Sequence, residues 1–123
     1  MIREAVIGME ERLYQAYDLL HRLGVTANYK GYSYAAYALA LCVEQPDRLL
    51  LVTKNLYPMV AKRYGTTWSA VERNIRTVVA VAWSRNPALL AQLAGDLLSK
   101  RPRCAQFLAI AAKELGRDGD MRS

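Results

Sequence analysis

Histidine is almost absent from this chain and cysteine is sparse: His21 stands alone, and only Cys42 and Cys104 carry thiols in 123 residues. No second histidine and no cysteine lies at ligand spacing from His21, so it reads as a surface or boundary helix residue and no metal site is predicted. The two cysteines are far apart, and both fall in apolar helical patterns. Buried free thiols in a reducing, cytoplasmic setting are expected rather than a disulfide. No apolar run reaches the roughly 18 residues a membrane-spanning helix needs. The start, MIREAVIGMEERLYQ, is too charged for a secretory signal, so no membrane partner is expected. A glycine-rich phosphate loop is also missing, since KGY and YGTT lack the pattern. Glu10 and Glu11 suit a solvated helix face better than a catalytic pair. With no nucleophile–base or metal constellation, no catalytic residue and no cofactor is predicted, and an enzyme is not expected.

Acidic residues are the minority, 11 against 17 lysines and arginines, for a net charge of +6. Distribution matters more than size. Residues 1–24 sum to −1 and residues 25–53 to zero, whereas residues 54–86 hold Lys54, Lys62, Arg63, Arg73, Arg76 and Arg85 against Glu72 alone. A second basic group, Lys100, Arg101 and Arg103, follows later. A polyanionic partner explains this asymmetry. A basic face kept for solubility is the alternative that composition leaves open.

Strand signals are lacking too: there is no sustained apolar–polar alternation and no Asn-Gly or Asp-Gly hairpin turn. Helical spacing takes their place. Leu13, Ala16, Tyr17, Leu20 and Leu23 line a first helix that Gly24 stops, and Tyr34, Ala35, Ala38, Leu39 and Cys42 line a second from about Tyr32 to Val43. Asp47 to Tyr64 forms a third helical region, in which Pro58 imposes a kink or a short helix followed by a new start. Thr67 is placed to cap a fourth helix carrying Val71, Ile75, Val78, Val79 and Ala82. Arg85 lies at its far end and is expected to cap carbonyls. Asn86-Pro87 opens a fifth, and a last helix after Pro102 is expected to stop at Gly116, with RDGDMRS frayed beyond it. The fold class predicted is all-α, a compact bundle of about six helices. Of the eight tyrosines, Tyr34 is expected to face the core and the rest to line helix contacts rather than stack on bases.

The segment VAKRYGTTWSAVERNIRTVV, residues 60–79, has the spacing of a helix-turn-helix built from the third and fourth helices. Ala61 is small where two helices would cross, Gly65 suits a turn with positive φ, and Val71 would anchor the second helix. Glu72, Arg73 and Arg76 then fall on the face the apolar residues leave free, a surface suited to a DNA major groove.

LGVTANYKGYSYA (23–35), TKNLYPMVAKRYGTT (53–67) and VERNIRTVVAVAWSRN (71–86) together resemble the DNA-binding effector domain of the sporulation master response regulators, the stage-zero sporulation protein A family. The resemblance spans about residues 14–116. It implies an all-helical effector domain that binds a TGTCGAA-like promoter element, often as tandem copies. Expected partners are double-stranded promoter DNA, a second copy on that DNA, and RNA polymerase. By the same resemblance Glu72 and Arg73 are expected to contact bases and Arg76 to contact DNA nearby; Arg76 and, at the helix start, Ser69 are grouped with them as expected base contacts. Lys62, Arg63, Thr66, Thr67, Trp68, Thr77, Lys100 and Arg101 are assigned to the DNA backbone. Ala70 stands where the family usually has arginine, Thr77 where it has histidine, and the loop before Pro102 is shorter. The family normally carries a receiver domain; none is read in residues 1–123, leaving open an excised effector domain or a chain without phosphorylation control. The alternative function is a receiver-less paralogue acting as a protein-interaction module with weakened DNA binding.

Overall fold

Between its polar ends Lys30 and Glu44, the segment Lys30–Glu44 is dominated by alanine, leucine and tyrosine, and this helix is apolar on almost all sides. A segment of that kind is stable only when surrounded. In the computed structural model, which describes residues 8–95 and 98–121 (side chains as far as Arg117), it is the central helix α2. Around it are α1 (Met9–Arg22), α5 (Trp68–Arg85) and α7 (Cys104–Met121), all packed directly on α2. The remaining elements are a 3-10 segment (Pro46–Leu51), α3 (Val52–Asn55), α4 (Tyr57–Tyr64) and α6 (Pro87–Ala94). Among the described residues there is no strand, and no helix is long and apolar enough to cross a membrane.

The expected all-α bundle is therefore observed, with seven α-helices among the described residues rather than about six. The added one arises where Asp47–Tyr64 divides. Leu56, fully buried with φ −123° and ψ −60°, leaves helical geometry between α3 and α4, and Pro58 sits in the first turn of α4 where its missing N–H costs nothing. Of the two readings of Pro58, the new start holds. Two further expectations need correction. The second helix begins at Lys30, earlier than Tyr32. The last helix does not stop at Gly116 but runs to Met121, through most of the tail expected to fray. A glycine inside a helix weakens it by about 1 kcal/mol without ending it, and the described residues after Gly116, as far as Met121, offer neither a proline nor a left-handed cap.

One core joins the elements. Ala16, Leu19, Leu20 and Leu23 from α1 and its end meet Ala35, Ala38, Leu39 and Cys42 of α2; Ile75, Val78 and Val79 of α5 and Phe107, Leu108 and Leu115 of α7 complete it. Burying each Val, Leu, Ile or Phe side chain contributes about 1.5–3 kcal/mol. Burial pushes the Cys42 thiol up to about 11, so it stays neutral within the core, and both cysteines are free thiols. Gly31 has a specific task at the crossing of α2 and α5. A Cβ there would lie 2.3 Å from the Asn74 carbonyl oxygen and 2.7 Å from Val78 Cγ2, so only glycine lets α2 approach the α5 backbone this closely.

Candidate nucleic-acid interface

The helix-turn-helix forms from α4 and α5, the fourth and fifth helices once the third region has split. Val60 and Ala61 on α4 and Val71 and Ile75 on α5 are all buried in the shared core. Gly65 ends α4 in the left-handed region at φ 64°, as its position before the turn predicts, and the Thr66 amide donates to the Ala61 carbonyl at 3.0 Å. Thr67 then caps α5: its Oγ1 accepts from the Ala70 amide at 3.2 Å. The Thr67 and Ser69 hydroxyls lie 3.3 Å apart. The first turn of α5 thus begins at an exposed surface, with Trp68 47% exposed beside Thr67 and Ser69.

From that start α5 has two unlike faces. Val71, Ile75, Val78, Val79 and Ala82 are buried, while Ser69, Arg73, Arg76 and Thr77 are exposed. Arg73 makes no ion pair among the described residues, and its carbonyl accepts from Thr77 Oγ1 at 3.3 Å. Glu72 and Arg76 form an i,i+4 ion pair at 3.4 Å, with side chains 34% and 57% exposed. At that exposure the pair contributes only a few tenths of a kcal/mol to folding.

Beside this pair lies a groove of about 440 Å³. Glu72, Arg76 and Val79 of α5, Val52 of α3, Tyr57 of α4 and the wall of residues 101–105 line it. The structure therefore brings the loop residue Arg101 to Glu72 and Arg76, which sequence spacing does not reveal. Arg103 joins the same wall. Its charge was visible in the Lys100–Arg103 cluster, but nothing in the sequence separated it from Lys100, which is exposed and outside the groove lining. Cys104 and Tyr57 also border the groove, and burial raises the pKa of each. Both remain protonated near neutral pH, so Glu72 is the one anionic side chain among the groove-lining residues.

The other expected backbone contacts divide. Lys62 is exposed on α4 and Thr66 is half-buried in the turn. Arg63, although exposed, lies over the Tyr37 ring of α2 at 4.6 Å from its centroid and within 5.7 Å of the Tyr64 centroid. The tyrosines are mostly used internally: Tyr17 stacks on Tyr32 at 4.8 Å, and Tyr34 lies 5.2 Å from Tyr64. Tyr34 itself is half-buried at the edge of the core. Arg85 does find a carbonyl, but that of Gly24 at the end of α1, at 3.1 Å, rather than one in its own helix. No group of three or more metal-ligating side chains exists among the described residues.

Residues 16–115 match the family described as sporulation initiation factor Spo0A C terminal.

Proposed function

Because the chain belongs to the Spo0A C-terminal family, a family of DNA-binding sporulation transcription regulators rather than of enzymes, we propose that α5 reads a TGTCGAA-like promoter element from the major groove. The observation that carries this reading is the exposed row Ser69, Arg73, Arg76 on a helix whose opposite row is locked in the core. An arginine fork matches guanine O6 and N7, and a carboxylate accepts from cytosine N4. Arg73 and Glu72 take these two roles, with Arg76 and Ser69 at neighbouring bases. Glu72 exchanges its exposed ion pair with Arg76 for the groove edge at little cost, since that pair is weak.

Backbone contacts fall around this row. Thr66, Thr67 and Trp68 sit at the start of α5, where free amides and the helix dipole favour a phosphate. Lys62 on α4, Thr77 further along α5, and Lys100 and Arg101 in the loop extend the track to either side. The domain acts in the cytoplasm, on promoter DNA, in tandem copies and alongside RNA polymerase.

Anisotropy titrations on the element and on a scrambled duplex test the reading. Arg73→Ala is expected to cost about 1–3 kcal/mol on the element and to narrow the gap between the two duplexes. Equal losses on both remove Arg73 from base reading. Selection of bound duplexes from a random pool is expected to recover a TGTCGAA-like motif. No duplex affinity at low salt would instead favour a protein-interaction module.

A further inference from the structure

Arg63 stands next to Lys62 in a basic pair at the end of α4, yet the two side chains have different surroundings. The Arg63 guanidinium rests over Tyr37 at 4.6 Å and near Tyr64 at 5.7 Å. Tyr64 in turn lies 5.2 Å from Tyr34 and 6.2 Å, edge-on, from Tyr37, and its hydroxyl donates to the Ser33 carbonyl at 3.4 Å. Tyr34, Tyr37 and Ser33 all belong to α2, and α2 runs behind α5: Gly31 meets the α5 backbone at Asn74 and the buried Val78. Arg63 is thus drawn toward the scaffold side of the helix-turn-helix, whereas Lys62 has no ring beneath it among the described residues.

From this contrast we propose that Arg63 is a positioning residue, a cationic clamp that ties the last turn of α4 to α2, rather than a contact to the DNA backbone. The physical need is clear. Helix α4 has eight residues, too few to hold its own last turn without tertiary support. The turn leaves that last turn at Gly65 and delivers the Thr67 cap and α5. A guanidinium over an aromatic face supplies a directional tie that a lysine ammonium reproduces poorly. The inference rests on the proposed DNA reading only for its effect on duplex affinity; the clamp itself is a property of the free protein.

The test compares Arg63→Ala with Lys62→Ala across a salt series on one duplex. Releasing a phosphate contact lowers the slope of log affinity against log salt by about 0.9. Lys62→Ala is expected to show that drop. Arg63→Ala is expected to weaken binding about two- to fivefold at every salt concentration, with the slope unchanged. A slope reduced by about 0.9 in Arg63→Ala overturns the proposal. A double-mutant cycle with Tyr37→Leu, read in urea-unfolding midpoints, gives a second decision. Arg63→Ala should matter less in the Tyr37→Leu background, and Tyr37→Phe, which keeps the ring, should restore the full effect. Equal effects of Arg63→Ala in all three backgrounds overturn the clamp. Because this cycle needs no DNA, it decides the clamp even where duplex binding, and with it the functional reading, fails.

Discussion

Arg73 and Arg85 stand on the same helix, and both are exposed, but they belong to different parts of the molecule's economy. Arg85 donates to the Gly24 carbonyl at 3.1 Å and lies 3.4 Å from the Tyr29 hydroxyl. Beside it, Asn86 donates to the Arg22 carbonyl at 2.9 Å. The C-terminal end of α5 is fastened to the α1–α2 connection by side chains. Arg73, in the N-terminal half, has no ion pair among the described residues, and Arg76 has only a solvent-exposed one. Charge alone does not distinguish these arginines. What distinguishes them is whether a carbonyl or side chain of another element holds the guanidinium, and the proposed DNA reading assigns the unfastened half of α5 to the partner.

Substitutions can break this contrast in order of size. The largest effect is expected at the buried row that serves both halves: Ile75→Ala should cost about 2–5 kcal/mol in urea unfolding, and duplex affinity should fall with it near the unfolding midpoint. Gly31→Ala comes next, at about 1–3 kcal/mol, because its Cβ must push against the α5 backbone at Asn74 rather than a yielding side chain. A wild-type unfolding midpoint for Gly31→Ala would remove the close crossing from the account. Asn86→Ala should cost about 0.5–2 kcal/mol, since one side chain both caps α6 through the Leu89 amide and holds the Arg22 carbonyl. Its duplex specificity should be unaltered. Smallest is Glu72→Ala, expected to change stability by no more than about 0.5 kcal/mol while altering base preference. A larger stability loss at Glu72 would place it with the fastening residues instead.

Much of this contrast is legible in the sequence, for local reasons. The spacing of Ala61, Gly65, Thr67 and Val71 specifies a turn, a cap and an anchor within a dozen residues, and each of these signals acts through its nearest neighbours. The buried row of α5 follows from the 3.6-residue period. What escaped was set by distant chain. Arg85 reaches across to Gly24, Arg101 and Arg103 arrive at Glu72 from another loop, and Arg63 turns onto Tyr37. None of these pairings has a sequence interval that predicts it. The division of the third region at Leu56 was half visible through Pro58. The run of α7 past Gly116 escapes because a glycine stops a helix reliably only where it takes up the left-handed conformation itself, as Gly65 and Gly95 do.

The two-faced character of α5 has a consequence for how such a domain can diversify. Residues on its outward row contribute little to holding the protein together, so they can be exchanged singly without first acquiring a compensating stabiliser. At the edge of that row, half-buried Ala70 has its amide and carbonyl tied to Thr67 and Asn74, so the backbone hold there does not depend on its side chain. A domain built this way can change its outward surface while the scaffold stays constant.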